Sequence, residues 1–266
     1  GATPIAISSA LVLEEGLEIE VLERAMRSMG EYSRISNVPI VTGDTKVVER
    51  GALDGMVIAT SAIGRRSANL DRDLEIASES RKLASRWLTD DNLGEGDAII
   101  VSGTLGDHGI ALLSFREGYG FDSQVKSDIA PLNQLVEEVL EVGGAVAMKD
   151  PTRGGLANTL NEWASKSKVD VEIEEELIPI SPPVRNACEM LGLDPLTIGN
   201  EGKLVIGAVA DKAPDILAAL RRSDIGGNAA VIGKVVRGRG RVTMRTQVGG
   251  RRVIEPPVGD PVPRIC

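Results

Sequence analysis

Five short segments of this chain set charged, hydroxyl or thiol groups beside glycine or proline, and each combination can carry chemistry. In Val41-Thr42-Gly43-Asp44-Thr45-Lys46-Val47-Val48 a carboxylate, a hydroxyl and an ammonium follow the end of an apolar run. Such a turn can hold Mg²⁺ through Asp44 and a phosphate or a polarised oxygen through Lys46. The same residues also suit a plain turn with a surface ion pair, and no Walker A pattern occurs in the chain. Lys149-Asp150-Pro151-Thr152-Arg153-Gly154-Gly155-Leu156 stands between a predicted strand and a predicted helix. It reads equally as a helix start with closely packed glycines and as a metal–phosphate site of bare N–H groups, Asp150 and Arg153.

In Ile198-Gly199-Asn200-Glu201-Gly202-Lys203-Leu204 a glutamate sits in a glycine-flanked turn before a strand. It is either a solvated turn residue or, if partly desolvated, a general base. Ser102 to His108 is a further glycine-rich turn, with Asp107 as a candidate N-cap and His108 as a surface residue. The chain ends on Pro261-Val262-Pro263-Arg264-Ile265-Cys266. An exposed thiol is a liability, and prolines at this spacing make a semi-rigid tail able to reach and insert. Prenylation needs a Cys fourth from the end, so it is excluded. The other thiol, Cys188, lies beside Met190 and Leu191 and reads as a small buried hydrophobe.

The elements that must position these groups follow from periodicity. Strands are predicted over Pro4–Leu13, Val38–Val41 and Met56–Ile63, with a helix over Leu17–Met29. That β-α-β-β order is an α+β unit. Asp71 to Leu88 has an acidic first turn and a basic end, which predicts a surface helix. The polar link Thr89–Gly96 places a domain boundary after residue 92, giving domains 1–92 and 93–255 and a tail 256–266. In the second domain helices are predicted over His108–Glu117, Leu132–Val142, Leu156–Ser165, Val184–Leu191 and Ala213–Arg221. Strands are predicted over Asp97–Val101, Ala145–Met148, Val169–Ile173, Leu204–Ala210, Ala230–Val236 and Val242–Thr246. Pro256 to Cys266 is predicted to be extended and flexible.

Composition bounds the function. Of 266 residues 42% are hydrophobic and only 2% aromatic, so Ala, Val, Ile and Leu must build the core. A net charge of −9 argues against nucleic acid or an anionic membrane surface as partner. The arginines between Arg237 and Arg252 read instead as a solvated edge strand. Two cysteines and one histidine cannot assemble a disulfide framework or a zinc ribbon, and a Ser-His-Asp triad would rest on His108 alone. With no run of 18 apolar residues and no signal-like start, a cytoplasmic protein is expected.

Taken in order, GDTKVV, SGTLGDHG, KDPTRGG, GNEGKLVI and the terminal PRIC resemble the hydrogenase expression/formation protein HypE family. That family belongs to the superfamily of aminoimidazole ribonucleotide synthetase, selenophosphate synthetase and thiamine-monophosphate kinase. The resemblance spans essentially the whole chain. It implies a two-domain, aminoimidazole ribonucleotide synthetase-like (PurM-like) α+β architecture. It also implies that Cys266 accepts a carbamoyl group from a HypF-like carbamoyltransferase, and that ATP then drives dehydration of the thiocarbamate to a thiocyanate. Cyanide would pass to an iron on a HypC–HypD scaffold for the [NiFe] hydrogenase site.

By the same resemblance Glu201 is the base, Lys46 stabilises the carbamoyl oxygen, and Asp44 and Asp150 hold Mg²⁺ on the ATP phosphates. Thr45, Arg153, Gly154 and Gly155 are nucleotide contacts, and a homodimer through the first domain is implied. The chain departs from the family twice. It begins at Gly1, after the place where relatives carry an acidic metal and ATP segment, so weak ATP binding is expected of it. The helix predicted over 71–88 looks inserted. Two rivals remain open: another ATP-using enzyme of the superfamily, which needs no terminal thiol, and a non-catalytic carrier, which would not turn over nucleotide.

Overall fold

The computed structural model describes residues 1–79, 81–120 and 125–259. Its contacts divide the chain into a first unit, Gly1–Ala68, and a second beginning at Asn69. In the first unit β1 (Ala2–Glu14), α1 (Ile19–Ser36), β2 (Ile40–Val48) and β3 (Met56–Arg66) form a three-stranded sheet of order β2-β1-β3. β2 runs parallel to β1 through the helical crossover, and β3 runs antiparallel. The helix stops at Asn37, whose φ of 54° turns the chain into the left-handed region. There its N–H bonds the Arg34 carbonyl, and the N–H of the buried Val38 bonds that of Ser33.

The expected turn at Thr42–Lys46 is not a turn. β2 continues through all of it, as an edge strand paired to β1 out to Val48. Gly43, Asp44 and Lys46 have poor strand propensity, but the β-branched Thr42 and Thr45 favour a strand and an edge strand needs only one pairing partner.

The second unit begins with α2 (Leu70–Ser78) and continues through β4 (Ala98–Val101), α3 (Asp107–Glu117), α4 (Asn133–Val142), β5 (Ala145–Lys149) and α5 (Gly155–Ser167). β6 (Asp170–Glu174), α6 (Pro182–Leu191), β7 (Val205–Ala208), α7 (Ala213–Arg222), β8 (Ala230–Val236), β9 (Val242–Arg245) and β10 (Arg251–Val253) follow. Its seven strands are ordered β10-β9-β6-β8-β4-β7-β5. β4 is buried on both faces. Ile99 and Val101 face a core with Leu160, Trp163 and Val235, while Ala98 and Ile100 face one with Val139, Ile216 and Leu220. The period-2 alternation of a four-residue strand thus serves two cores. The edge strand expected among the arginines is β10, with Arg251 and Arg252 exposed.

The helix expected over Asp71–Leu88 ends at Ser78. Beyond it the Arg81 guanidinium clamps Asp97 with bonds of 2.7 and 2.6 Å and donates to the Asn92 carbonyl at 2.9 Å. These tertiary bonds pull the segment out of helical register. Nor is the helix a surface element: Leu70, Asp73, Leu74 and Ala77 are buried. The sequence set the boundary at residue 92, whereas residues from Asn69 pack with the second unit, α2 lying against α4 and β5.

Candidate functional site

In the first unit the register of β2 decides what its polar residues can do together. Asp44 pairs with Ala10, Thr45 with Leu11 and Lys46 with Val12 of β1, the only strand beside β2 in this sheet. Successive side chains of a strand point to opposite faces. Asp44 and Lys46 therefore share one face two residues apart, and Thr45 stands on the other with the buried Ser9 and Leu13. All three are exposed, and the Thr45 N–H bonds Asp44 Oδ1 at 2.8 Å. A carboxylate and an ammonium side by side on an open strand can meet a phosphate or a polarised carbonyl.

In the second unit three motif loops converge on one buried side chain, Asn200, which is 0% exposed. Its Oδ1 accepts the Gly106 N–H at 2.8 Å. Its Nδ2 donates to the carbonyls of Pro151 and Ile198 at 3.2 and 3.0 Å, and its own N–H to Pro151 at 3.2 Å. The loops 102–107, 149–155 and 198–203 are thereby one assembly. The Thr152 hydroxyl lies 2.7 Å from Asp150 Oδ2 and 2.9 Å from the Asn200 carbonyl oxygen, so its single proton bonds one of them at a time. Asp150, itself exposed, is thus one hydroxyl away from the peptide that precedes Glu201.

Glu201 is half-buried, and its N–H donates to Asp128 Oδ1 at 3.1 Å. Asp128 also stands opposite Lys203, with Nζ 3.3 Å from Oδ2. Arg153 is exposed at the rim of the same loop. Gly154 and Gly155 open α5 with φ of 67° and 59°, a region costly to any residue with a Cβ. Their missing side chains are filled by the chain itself. A Cβ on Gly155 would lie 2.5 Å from the Leu196 carbonyl oxygen and 2.6 Å from that of Ile198, and one on Gly154 would lie 2.6 Å from Pro257. The two glycines are thus needed for packing as well as for any approach of a ligand.

Two neighbouring groups brace these loops. Asp107 opens α3 as its first residue, Gly106 being the N-cap, and takes the hydroxyls of Thr104 at 2.5 Å and Ser181 at 3.2 Å. Lys149, just before Asp150, is held by Glu162 and by Asp90 at 3.1 Å, and Asp90 also accepts Trp163 Nε1–H at 2.9 Å. Burial works against the Lys149 ammonium, but the two carboxylates outweigh it and raise its pKa. His108 is half-buried, with Nδ1 2.9 Å from the Ser127 hydroxyl. Cys188 is 2% exposed inside α6, and burial pushes its thiol up to about 11. Of the predicted tail, residues 260–266, including Cys266, lie outside the described residues. Sequence reading passed over Asn200, Asp128 and the Asp128–Lys203 pair. Asn200 lay within a quoted motif, but Asp128 carries no local signal at all.

The model of the AIR synthase related protein N-terminal domain matches residues 1–66, and that of the C-terminal domain matches residues 94–245. These two matches place the chain among the AIR synthase related proteins. The carbamoyl dehydratase HypE of Rhizobium leguminosarum bv. viciae is 46% identical over 269 residues, covering 100% of this chain and 72% of that protein. A hydrogenase maturation protein HypE solved in complex with ATP is 42% identical with a TM-score of 0.89, covering 98% of this chain and 76% of that one. A crystal structure of a HypE–HypF complex matches at 37% identity with a TM-score of 0.86, covering 97% and 79%. The chain belongs to the HypE family of carbamoyl dehydratases, which act in hydrogenase maturation.

Proposed function

We propose that this protein dehydrates a carbamoyl group carried on the sulfur of its own Cys266, at the expense of ATP. An amide oxygen is a poor leaving group. In the proposed sequence the thiocarbamate oxygen attacks the γ-phosphoryl group of ATP, ADP leaves, and one nitrogen proton passes to solvent to give an imidoyl phosphate. Glu201 takes the remaining N–H proton as the C–O bond breaks, which releases phosphate and leaves the thiocyanate. Lys46 stabilises charge on the carbamoyl oxygen, and Asp44 and Asp150 hold Mg²⁺ on the phosphates. Arg153 and the backbone of Gly154 and Gly155 contact the nucleotide, and Thr45 contributes through its backbone.

The donor chemistry suits this assignment. Mg²⁺ takes hard oxygen ligands and keeps several waters, so one or two carboxylates with phosphate oxygens suffice. Among the described residues no group of three or more His, Cys, Asp or Glu forms a closed metal cage, and Asp150 is open to solvent. Bound there, the ion would neutralise charge developing on the transferred phosphoryl group. The observation that carries the reading is Asn200, whose N–H and Nδ2 both donate to the Pro151 carbonyl and so tie the loop of Asp150 to the turn that bears Glu201.

A HypF-like carbamoyltransferase is the proposed donor and a HypC–HypD complex the proposed cyanide acceptor. A homodimer through the first unit is supported by exposed Ile5, Ile40, Val41, Val57 and Ile63. A cytoplasmic location belongs to the same proposal. Among the described residues no helix is long and apolar enough to cross a membrane.

Mass spectrometry of the full-length protein tests the reading. Incubation with the carbamoyltransferase is expected to add one carbamoyl group, and ATP then to remove one water. Glu201→Gln is expected to block the loss of water while sparing carbamoylation. Carbamoyl uptake by Cys266→Ala would overturn the assignment, and dehydration without nucleotide turnover would favour a carrier.

A further inference from the structure

Asp128 lies in an irregular stretch between α3 and α4, outside every motif quoted above, yet its carboxylate does two things at once. Oδ1 accepts the N–H of Glu201 at 3.1 Å, and Oδ2 faces Lys203 Nζ at 3.3 Å. The two side chains are 4% and 9% exposed. A buried ion pair is a poor source of stability, because desolvating both charges costs as much as their attraction returns. Its retention beside Glu201 calls for another reason.

The surrounding backbone is shaped to admit the pair. At Gly202 a Cβ would lie 1.8 Å from the Asp128 carbonyl oxygen and 2.9 Å from the Ala130 nitrogen. At Gly103 a Cβ would lie 3.0 Å from Lys203 Cε, so the lysine stem crosses that glycine. Ser102 then closes the arrangement: its N–H donates to the Leu204 carbonyl and its hydroxyl oxygen accepts the Leu204 N–H, both at 2.9 Å. Glu201 and Lys203 flank Gly202, and Asp128 holds one by its backbone and the other by its charge. The peptide carrying Glu201 is therefore gripped on both sides.

We infer that Asp128 and Lys203 are a positioning pair that fixes the Glu201 peptide for proton abstraction, Asp128 acting through its hydrogen bond to the Glu201 N–H. This rests on Glu201 being the base. An error of 1 Å in placing such a group costs about 100-fold in rate, so an acceptor on that N–H has kinetic value out of proportion to its stability.

Two variants separate geometry from stability. Asp128→Asn keeps an oxygen for the Glu201 N–H but strands the buried Lys203 charge. The pair Asp128→Leu with Lys203→Met removes both charges and the acceptor, leaving an apolar contact that is often neutral or stabilising. The expected orders are opposite. In thermal unfolding the double variant exceeds Asp128→Asn. In ATP-driven water loss from the carbamoylated full-length protein it falls below Asp128→Asn by about 10-fold or more, with KM for ATP within about twofold. Rates that follow stability, or a double variant at the wild-type rate, would overturn the inference. So would fast amide exchange at Glu201 in the wild-type protein, a measurement that needs no variant to fold. Glu201→Gln run in the same assay reports on the base alone. Normal turnover there refutes the base, while a dead Glu201→Gln beside a normal double variant refutes only the positioning.

Discussion

Asp73 is 0% exposed in α2, and burial pushes its carboxyl up to about 7 against the N–H groups of Ala145 and Gly144, which favour the charged form. Its Oδ1 accepts the Ala145 N–H at 2.9 Å, while Oδ2 has no hydrogen-bond partner among the described residues. An unfolded Asp titrates near about 3.9, so the folded chain binds the proton more tightly. Below that value the group costs folding nothing. As pH rises toward 7 the native state must either keep a proton the unfolded state has lost or bury a charge. Stability should therefore fall between about pH 4 and pH 7, by roughly 4 kcal/mol at most. Asp73→Asn keeps the acceptor for Ala145 and removes the titration. Urea unfolding is expected to find the variant more stable than wild type at pH 8 and nearly equal at pH 4. A difference independent of pH would refute this account.

At the scale of elements, β2 makes the sharpest case. Alternation puts Asp44 and Lys46 on one face and Thr45 on the other, so the hydroxyl cannot serve the same ligand as its neighbours. Thr45→Val is expected to keep ATP-driven water loss within about twofold. Lys46→Met should lose about 100-fold, the scale of removing one preorganised electrostatic stabiliser. Both should unfold near the wild-type temperature, since the strand is an exposed edge and surface changes are small. A Thr45→Val loss matching that of Lys46→Met would mean the register does not govern the site. The same strand marks the limit of what periodicity can read. Helices such as α5 and α7, the buried strand β4 and the half-buried strand β8 were legible because their apolar spacing is local. Thr42–Lys46 has turn composition, and only pairing with β1 makes it strand. The end of α2 was equally hidden, because Arg81 leaves the helix for an Asp97 sixteen residues on. In the site, the glycine-flanked Glu201 and the Asp-Pro-Thr-Arg-Gly-Gly run could be read as candidates. That Asn200 would tie three loops together, or that Asp128 would meet Glu201 across 73 residues, depends on tertiary contact alone.

At the scale of the whole molecule the question is how a chain with two thiols directs a carbamoyl group to one. Thiolate, not thiol, is the nucleophile. Cys188 is walled in among Ile110, Leu113, Val184 and Ile198 and pushed up to about 11, chiefly by burial and then by the Asp194 charge. At pH 8 only about one molecule in a thousand would carry its thiolate, and the residue is 2% exposed. Fold and electrostatics thus silence the interior cysteine together, which leaves Cys266 as the acceptor on the proposed reading. Labelling with a disulfide reagent at pH 8 should consume one thiol rapidly in the native full-length protein, and a second only on denaturation. Cys266→Ala should abolish the rapid phase and leave the slow one unchanged. A rapid phase that survives Cys266→Ala would mean that α6 opens readily enough for Cys188 to compete, and the choice of acceptor would then belong to the carbamoyltransferase.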